Sequence, residues 1–304
     1  GGGAAPVYHL PVTSFSFDDK INKARSTGSL SNIADSEEAF VTSQYGEGDL
    51  EGEIRSKSFG LLLYALLGSY SVAGPTDEAY THSFTLSQSN EHQSLALTIH
   101  DPNTTEMYRL VMLDSLEITA ELDQLVTYTA SFMSKAARDS GTTVPDVVQE
   151  AKFTKRHLKV KLASNIAGLA GATTLSLKSL TLTISKNATL DDVLGTAEPE
   201  DILNQQISIE GELSLNYEAE TFKNYMVDGT YRAMEIALIN NDEVIGEGTT
   251  RPSLTIQLPK VDFFDWEPTY DNDAIVSQSI SFKANQDVAN GQAIIHLCQL
   301  VNDV

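Results

Sequence analysis

Apolar and polar residues alternate along much of this chain. From Ile207 to Tyr217 every second residue is apolar or glycine, and the residues between them are Ser, Glu and Asn. A period of two places successive side chains on opposite faces of a strand, so one face is core and the other contacts water. Many short strands separated by polar turns predict a mainly β fold, arranged as a sandwich or a small barrel. The same period occurs at Phe84–Leu86, Leu95–Ile99, Leu180–Ile184, Leu254–Leu258 and Ile280–Phe282.

One segment of the chain returns in the second half. Leu50–Ile54, with the sequence LEGEI, is followed by Ile209–Leu213, with IEGEL, at an offset of 210 − 51 = 159 residues. A short helix is predicted after each copy, at Phe59–Leu67 and at Glu218–Val227, because both stretches end close to a glycine. A strand and a long polar loop precede each copy, and similar strands follow it. This common order predicts two tandem domains, each with one short flanking helix and one long loop.

The two predicted loops are longer than is usual in compact domains. In the first half the strand Thr13–Phe17 is followed by the polar stretch Asp18–Glu47. In the second half the strand Thr181–Ile184 is followed by Ser185–Gln205. Loops of this length are uncommon in compact domains and are usually functional or disordered.

The sequence predicts a domain boundary near the middle of the chain. Residues 1–140 are the first predicted domain, residues 156–304 the second, and residues 141–155 the linker. Pro145 favours the start of a short connecting helix that would run to Ala151. A solvated face is the favoured interpretation of the basic residues that follow, and contact with an acidic neighbour is the alternative. These residues are Lys152, Lys155, Arg156, Lys159 and Lys161.

The composition is strongly acidic. Lys and Arg total 20 against 42 Asp and Glu, which gives a net charge of −22. Tight binding to phosphates requires clustered Lys and Arg, so this mode of DNA binding is excluded, whereas repulsion of DNA stays open. The apolar run at Leu61–Leu67 is too short to cross a bilayer, and nothing before His9 is typical of a signal peptide. The single cysteine, Cys298, excludes an intrachain disulfide and lies in an apolar stretch typical of an inert buried thiol.

Two pairs of glutamates are candidates for chemistry. Glu51 and Glu53, like Glu210 and Glu212, are two residues apart on predicted strands, which places each pair on one face about 7 Å apart. This is the carboxylate spacing of an inverting glycosidase. A solvated strand face is the favoured interpretation, because an enzyme rarely carries its acid–base pair in both halves. The histidines show no zinc spacing and no nucleotide-binding motif occurs, so we expect no metal, no cofactor and no catalytic residue.

The order of strands and helices in four stretches carries a family resemblance. These stretches are Leu50–Gly68, Tyr108–Ala136, Leu175–Ala188 and Ile209–Gly229. Together they resemble the major tail tube proteins of long-tailed bacteriophages, of the type with a duplicated domain, over most of the chain. The resemblance implies β-sandwich or barrel subunits, each flanked by a helix, whose rings stack into a hollow tube for double-stranded DNA.

The resemblance also implies partners and a location. Three copies of a two-domain chain would supply the six domains of one ring, and a hexamer is the alternative. Further implied partners are the tail terminator, tape measure and baseplate proteins, and DNA would pass through without tight binding. The implied location is the virion tail, after synthesis in the host cytoplasm, and no membrane is involved.

Two sets of residues follow from this implication. An acidic lumen would repel phosphates, so four glutamates are candidates to line it, although a position on the outer surface is equally allowed. They are Glu51, Glu53, Glu210 and Glu212. The candidates for contacts between rings are Lys23, Arg25, Asp35, Glu37, Asp191 and Asp192.

Two other functions compete with a tube subunit. A surface adhesin built from two β-sandwich domains would share the strand pattern, and a signal peptide in the full gene would identify it. A carbohydrate-active enzyme would use Glu210 and Glu212, and replacing both by glutamine would abolish its activity.

Overall fold

The predicted alternation corresponds to strands along the whole chain. The structure is a computed structural model that describes residues 6–27, 33–139, 145–270 and 275–303. Within them lie two α-helices, α1 (Phe59–Leu67) and α2 (Thr221–Val227), and two 3-10 helices, Lys155–His157 and Ile166–Gly171. The strands are β1 (Ser14–Phe15), β2 (Asp18–Arg25), β3 (Ala39–Glu53), β4 (Gly68–Thr76), β5 (Ala79–Leu86), β6 (Leu95–His100), β7 (Thr105–Ala120), β8 (Thr127–Lys135), β9 (Arg138–Asp139), β10 (Leu158–Ala163), β11 (Leu177–Ser185), β12 (Thr189–Asp191), β13 (Asp201–Leu203), β14 (Ser208–Asn216), β15 (Arg232–Ile239), β16 (Ser253–Thr269), β17 (Ser277–Asn285) and β18 (Leu297–Asp303).

Sixteen of these strands form one antiparallel sheet, in which the main order is β1-β3-β8-β7-β11-β14-β17-β16-β18-β5-β4. The order contains the same arrangement twice, as β1-β3-β8-β7 and then as β11-β14-β17-β16. The two arrangements meet where Ser115–Ala120 of β7 pairs with Leu180–Ser185 of β11. The mainly β prediction is confirmed, and the sheet runs without a break through both halves.

Cross-strand registers identify the residues that occupy equivalent positions in the two halves. Gly48 of β3 lies opposite Phe132 of β8, and Gly211 of β14 lies opposite Phe282 of β17. These two glycines are 211 − 48 = 163 residues apart, whereas the two similar sequence segments are 159 residues apart. The equivalent segments are Glu47-Gly48-Asp49-Leu50 and Glu210-Gly211-Glu212-Leu213. A Glu-Gly pair occurs twice in the first half, as Glu47-Gly48 and as Glu51-Gly52. The second pair has the more similar flanking sequence, but the first pair has a phenylalanine across the strand, as Gly211 has.

Close packing explains why glycine stands at both equivalent positions. A Cβ on Gly48 would lie 2.6 Å from the carbonyl oxygen of Ser16, and a Cβ on Gly211 would collide with the carbonyl oxygen of Thr181. In both halves a phenylalanine lies directly across the strand from the glycine. A glycine in a strand often marks such a close backbone approach.

Each half contains one long strand that serves two parts of the sheet. The first part of β7 pairs with β6 and β9, and its second part pairs with β8 and β11. In the same way, β16 pairs first with β15 and β18 and then with β17. A β-bulge lies shortly after the change of partners, at Asp114 where β7 pairs with β8 and at Phe264 where β16 pairs with β17, and bulges bend a strand. The core lies between the two parts and includes Ile118, Leu180, Ile236, Leu254 and Ile256.

The two helices are confirmed but differ in burial. α1 has the predicted bounds and is followed by Gly68 in the left-handed region, at φ 80°. α2 begins at Thr221, three residues later than predicted. In α1 six residues are buried, whereas in α2 only Phe222 is buried. A helix with apolar side chains on all of its faces is stable only when all of these faces are buried, and most of α1 is buried.

The prediction that these two stretches are long polar loops is wrong, because both contain strands. The stretch Asp18–Glu47 is mostly a hairpin in which Asp18–Arg25 pairs with residues 39–47. The stretch Ser185–Gln205 contains the small sheet of β12 and β13. Backbone pairing satisfies the N–H and C=O groups of polar strands as well as those of apolar ones, so polarity alone did not exclude strands here.

The predicted linker packs against the first half instead of forming a helix. Residues 145–151 contain no helical turn, and the rest of the predicted boundary, 141–144, lies outside the described residues. The backbone N–H of Ser56 donates to the carbonyl of Ala151 at 3.0 Å. The carboxylate of Glu150 accepts bonds from the backbone N–H groups of Lys57 and Ser58, at 2.9 and 2.6 Å. A carboxylate at the start of α1 satisfies N–H groups that the helix itself leaves free, which favours this extended path over a new helix.

The basic cluster after the linker pairs with carboxylates of the chain itself. Lys152 contacts Glu53 at 2.7 Å, and Arg156 contacts Asp242 at 2.7 Å. Lys155 and Lys161 also form ion pairs, with Asp123 and Glu235. The cluster is therefore a largely solvated and internally neutralised surface.

Candidate functional site

One face of the sheet is lined by hydroxyl and carboxylate side chains. Within the strands that join the two halves, Glu117 lies opposite both Thr129 and Thr183. The hydroxyl of Thr183 donates to Glu117 at 3.3 Å, and the hydroxyl of Ser131 donates to Asp49 at 2.6 Å. Because side chains alternate across a strand, the residues between these positions face the core. We call this surface the polar face.

The four predicted glutamates all lie on the polar face. Glu51 is exposed and lies opposite Thr129. Glu53 is held by two cations, Arg55 at 3.2 Å and Lys152 at 2.7 Å.

The second pair has its own partners on β17. Lys283 donates to Glu210 at 2.6 Å, and this hydrogen bond raises the pKa of Lys283. Ser279 donates to Glu212. The polar face thus combines net negative charge with a dense set of hydroxyl groups.

Sequence reasoning missed further carboxylates on the polar face. They are Glu47, Asp49, Glu117, Asp262, Asp265 and Glu267. The available signal was the alternation of Glu or Asp with apolar residues in β7 and β16, combined with Ser and Thr at the cross-strand positions. In β16 the bulge at Phe264 changes the phase of the alternation, which hides the pattern there.

Two strand edges end the repeated arrangement within the described residues. β1 pairs only with β3, and the last part of β16 pairs only with β17. Large apolar or aromatic side chains are exposed there, with Phe15 52 % and Tyr270 70 % exposed. Open edges with exposed apolar groups are sites where another chain adds strands.

The hairpin of β2 and the first part of β3, which we call the arm, extends from one end of the sheet. Of the predicted inter-ring residues, Lys23 and Arg25 are exposed on β2, and Asp35 and Glu37 precede β3. Asp191 ends β12 and Asp192 follows it, both exposed. The second loop reaches the arm, because the backbone N–H of Gln44 donates to the carbonyl of Ala197 at 2.7 Å. The structure thus brings the two predicted sets of loop residues to the same end of the sheet.

Apolar side chains on the arm were missed by sequence reasoning. They are Ile21, Ile33, Phe40 and Val41, and each is about half exposed or more. Almost the whole of β2 is exposed, so both faces of this ribbon lack cover. An isolated two-stranded ribbon is marginally stable in water, so the arm is suited to packing against another surface.

The described residues show neither a metal-binding group nor a reactive thiol. In the described ranges, no group of three or more His, Cys, Asp or Glu residues is arranged to hold a metal ion. Burial raises the pKa of the Cys298 thiol to about 12, which suppresses the reactive thiolate. No helix in the described part of the chain is long and apolar enough to cross a membrane.

An antiparallel sheet with two open edges, a polar acidic face and a projecting arm defines a class of structural proteins that assemble through their strands and loops. A family profile described as Phage tail tube protein matches residues 10–284, so the chain belongs to this family. It is a non-enzymatic structural protein of the phage tail tube and is located in the virion tail. Family membership decides against the adhesin and against the carbohydrate-active enzyme.

No match is found among curated protein sequences.

Proposed function

We propose that this tail tube protein is of the duplicated-domain type, in which three copies close a ring of six similar units. The pairing of β7 with β11 carries this proposal, because it joins two units with the same strand order inside one chain. The shared Gly–Phe pairs and the bulges at Asp114 and Phe264 support the equivalence of the units. On this basis the halves correspond to the domains 1–140 and 156–304, joined by residues 141–155.

The internal junction supplies a register for the junction between subunits. Thr119 of β7 lies opposite Thr181 of β11. The position equivalent to Thr119 is Thr269, since each lies opposite the first residue of its closing strand. The position equivalent to Thr181 is Ser16, whose backbone N–H donates to the carbonyl of Asp49 at 2.9 Å. Ser16 of one subunit would therefore lie opposite Thr269 of the next.

The different burial of the two helices supports the same junction. α1 lies where the two halves meet, and a Cβ added to its Gly60 would lie 3.2 Å from the side chain of Leu300 in the second half. The equivalent position around α2 has no partner within the described residues, and Val227 is 71 % exposed. A neighbouring subunit added at the β16 edge would cover this helix, as the second half covers α1. Closing a ring in this way removes both open edges.

The polar face lines the lumen in this proposal. Glu51, Glu53, Glu210 and Glu212 would face passing DNA together with Glu117 and the hydroxyl groups. Carboxylates repel phosphate groups, so double-stranded DNA would slide without tight binding. The core face then points outward, where the helices and the second part of the sheet cover it.

The arm and the second loop would make the contacts between stacked rings. Lys23, Arg25, Asp35, Glu37, Asp191 and Asp192 lie at this end of the sheet, and the exposed apolar residues of the arm would be covered there. The ends of the tube would meet the tail terminator and baseplate proteins, and the lumen would enclose the tape measure protein. These partners follow from the proposed tube and have no separate support in the chain.

An engineered disulfide tests the junction. We expect Ser16→Cys combined with Thr269→Cys to give covalent trimers on oxidation, seen on a non-reducing gel and by light scattering. The buried Cys298 contributes little background. The matched control is Ser16→Cys with Asp265→Cys, which moves one partner four residues along β16.

Equal cross-linking in both variants, or a monomer that persists at high concentration, would overturn the proposed ring. A covalent hexamer would show that six chains close it. Electron microscopy of the concentrated wild-type protein provides an independent test, and rings or hollow tubes are the expected result.

A further inference from the structure

A polar cleft of about 600 Å³ opens at the end of the sheet from which the arm extends. β11 and β17 end there and β14 begins there, which places Lys186, Gln286 and Ile207 in the lining. The opposite wall comes from the first half, through Ser87–Asn90 and His92. The cleft therefore lies where the two halves meet, beside the last turn of α1.

The cleft contains a buried cation without a carboxylate partner. Lys186 is 1 % exposed, and its Nζ donates to the carbonyl oxygen of Ala65 at 3.0 Å. No ion pair of Lys186 occurs among the described residues. The charge of Asp114 raises the pKa of Lys186 and so partly opposes the effect of burial, but its Oδ1 accepts from the backbone N–H of Ala188 at 2.6 Å. An ammonium group has three N–H donors, and among the described residues only the carbonyl of Ala65 accepts from Lys186.

Asn204 provides a second and independent sign of a ligand. Asn204 is 9 % exposed and lines the cleft, yet neither its Oδ1 nor its Nδ2 has a hydrogen-bond partner among the described residues. Buried polar groups in native proteins are almost always paired, so an unpaired amide calls for an explanation. An occupant that offers both an acceptor and a donor would satisfy it.

The rest of the lining defines the chemistry of the occupant. The residues around the cleft carry amides, hydroxyls and apolar groups, and none of the described lining residues is Asp or Glu. Both ring nitrogens of His92 face carbonyl oxygens at 3.1 Å, so this residue offers no free acceptor. In a chain with 42 acidic residues, a cleft with one buried cation and no carboxylate favours a negatively charged ligand.

We propose that this cleft is a socket for an acidic side chain of a second copy of the chain, in the ring stacked on this end. The inference rests on the proposed function. The carboxylate would accept from the ammonium of Lys186 and the amide of Asn204, and the oxygen of Asn204 would accept a backbone N–H of the same segment.

The opposite end of the sheet presents a suitable residue. Glu218 lies between β14 and α2, is exposed and has no partner within the described chain. It precedes α2, whereas the cleft lies beside the end of α1, so both are in the layer of helices on the core side of the sheet. Head-to-tail stacking of rings would bring the end that carries Glu218 onto the cleft of the neighbouring ring. We therefore assign Glu218 as the occupant.

Variants of the full-length chain test the socket. Lys186→Met removes the charge and keeps the length of the side chain, and Glu218→Gln removes the carboxylate at an exposed position. For both we expect rings of wild-type mass by light scattering and a roughly tenfold higher critical concentration for tube growth, as for loss of a desolvated charge pair. Lys159→Met and Glu121→Gln are the matched controls, and they should leave tube growth unchanged.

The double variant decides the pairing. If Lys186 and Glu218 contact each other, the double variant assembles no worse than either single variant. Wild-type tube growth in both single variants, or a defect in only one of them, would overturn the socket. Glu218→Gln keeps the test valid if Lys186→Met fails to fold, and absence of rings from the wild-type protein would instead contradict the proposed function.

Discussion

The two halves share a sheet arrangement but differ in what covers it. In the first half, α1 is enclosed by the hairpin of β4 and β5 and by the second half of the chain. In the second half, α2 contacts mainly β16 and keeps Val227 exposed. The strands that the two halves share form the sheet. The helices differ, because α1 is covered within the chain whereas the surface of α2 is left open for a partner.

The hairpin of β4 and β5 shows how one half completes the other. β5 pairs with β18, so strands that follow α1 in the chain extend the outer part of the sheet of the second half. A hydrogen-bonded path crosses this contact, since His82 joins Tyr70 at 2.9 Å to Asn302 at 2.8 Å. The two halves are therefore joined on both parts of the sheet.

The largest expected difference lies in the helices. Leu63→Ala in α1 empties a fully buried position and should lower the free energy of unfolding by about 2–5 kcal/mol. Val227→Ala in α2 should change it by less than about 0.5 kcal/mol and should instead weaken ring formation. Chemical denaturation and light scattering measure the two effects, and an equally large loss of stability at Val227 would break the comparison.

The equivalent glycines provide the next test. Gly48→Ala and Gly211→Ala each place a Cβ against backbone atoms, so each should destabilise the protein by about 1–3 kcal/mol. Gly171→Ala is the control, because a Cβ added at Gly171 would have no neighbouring atom within 4 Å. Thermal unfolding should give similar losses for the first two variants. A loss at only one of them would show that the two positions are not equivalent.

A pH-dependent difference is expected where the halves meet. Burial lowers the pKa of Lys186 from 10.5 to about 8, so between these values the unfolded chain binds a proton that the folded chain does not. The stability of the wild-type protein relative to Lys186→Met should therefore rise as the pH increases from about 8 to 10.5. Tube growth should fall as the pH rises through about 8 in the wild-type protein only, because the socket loses its charge there. Parallel pH profiles for the two proteins would contradict both expectations.

The arm should affect assembly with little effect on folding. Ile21→Ser with Phe40→Ser changes exposed positions, so the free energy of unfolding should change by less than about 0.5 kcal/mol for each substitution. Electron microscopy should show rings that no longer stack. Val244→Ser, at an exposed position outside the arm, is the control. Normal tubes from the arm variant would remove the arm from ring stacking.

The smallest effect on stability is expected on the polar face. Glu210→Lys with Glu212→Lys places new cations beside Lys283 on an exposed surface, where charge changes contribute about 0–1 kcal/mol. Assembled tubes of this variant should retain double-stranded DNA in a salt-dependent manner, whereas wild-type tubes should not. A filter-binding assay at two salt concentrations measures this. Equal retention by both would place these residues away from the lumen.

Much of the fold was predictable because local patterns act over short distances. The period of two identified β14 and the core side of β11, and a continuous apolar run ended by glycine identified α1 with its bounds. The arm was not predictable from polarity, since its strands are stabilised by backbone pairing and not by burial. The two-residue spacing predicted that each glutamate pair shares a strand face, whereas Asp49 and Glu117 were found only through their cross-strand partners.

The amino-acid sequence by itself determined the strand-rich character, the two helices, the acidic charge and the recurrence of one arrangement in two halves. Tertiary structure alone decided the strand register, because register depends on packing such as that of Phe282 against Gly211 and not on similarity of sequence. It also decided that Lys186 and Asn204 meet in one cleft, since they lie on segments whose approach depends on the pairing of β7 with β11.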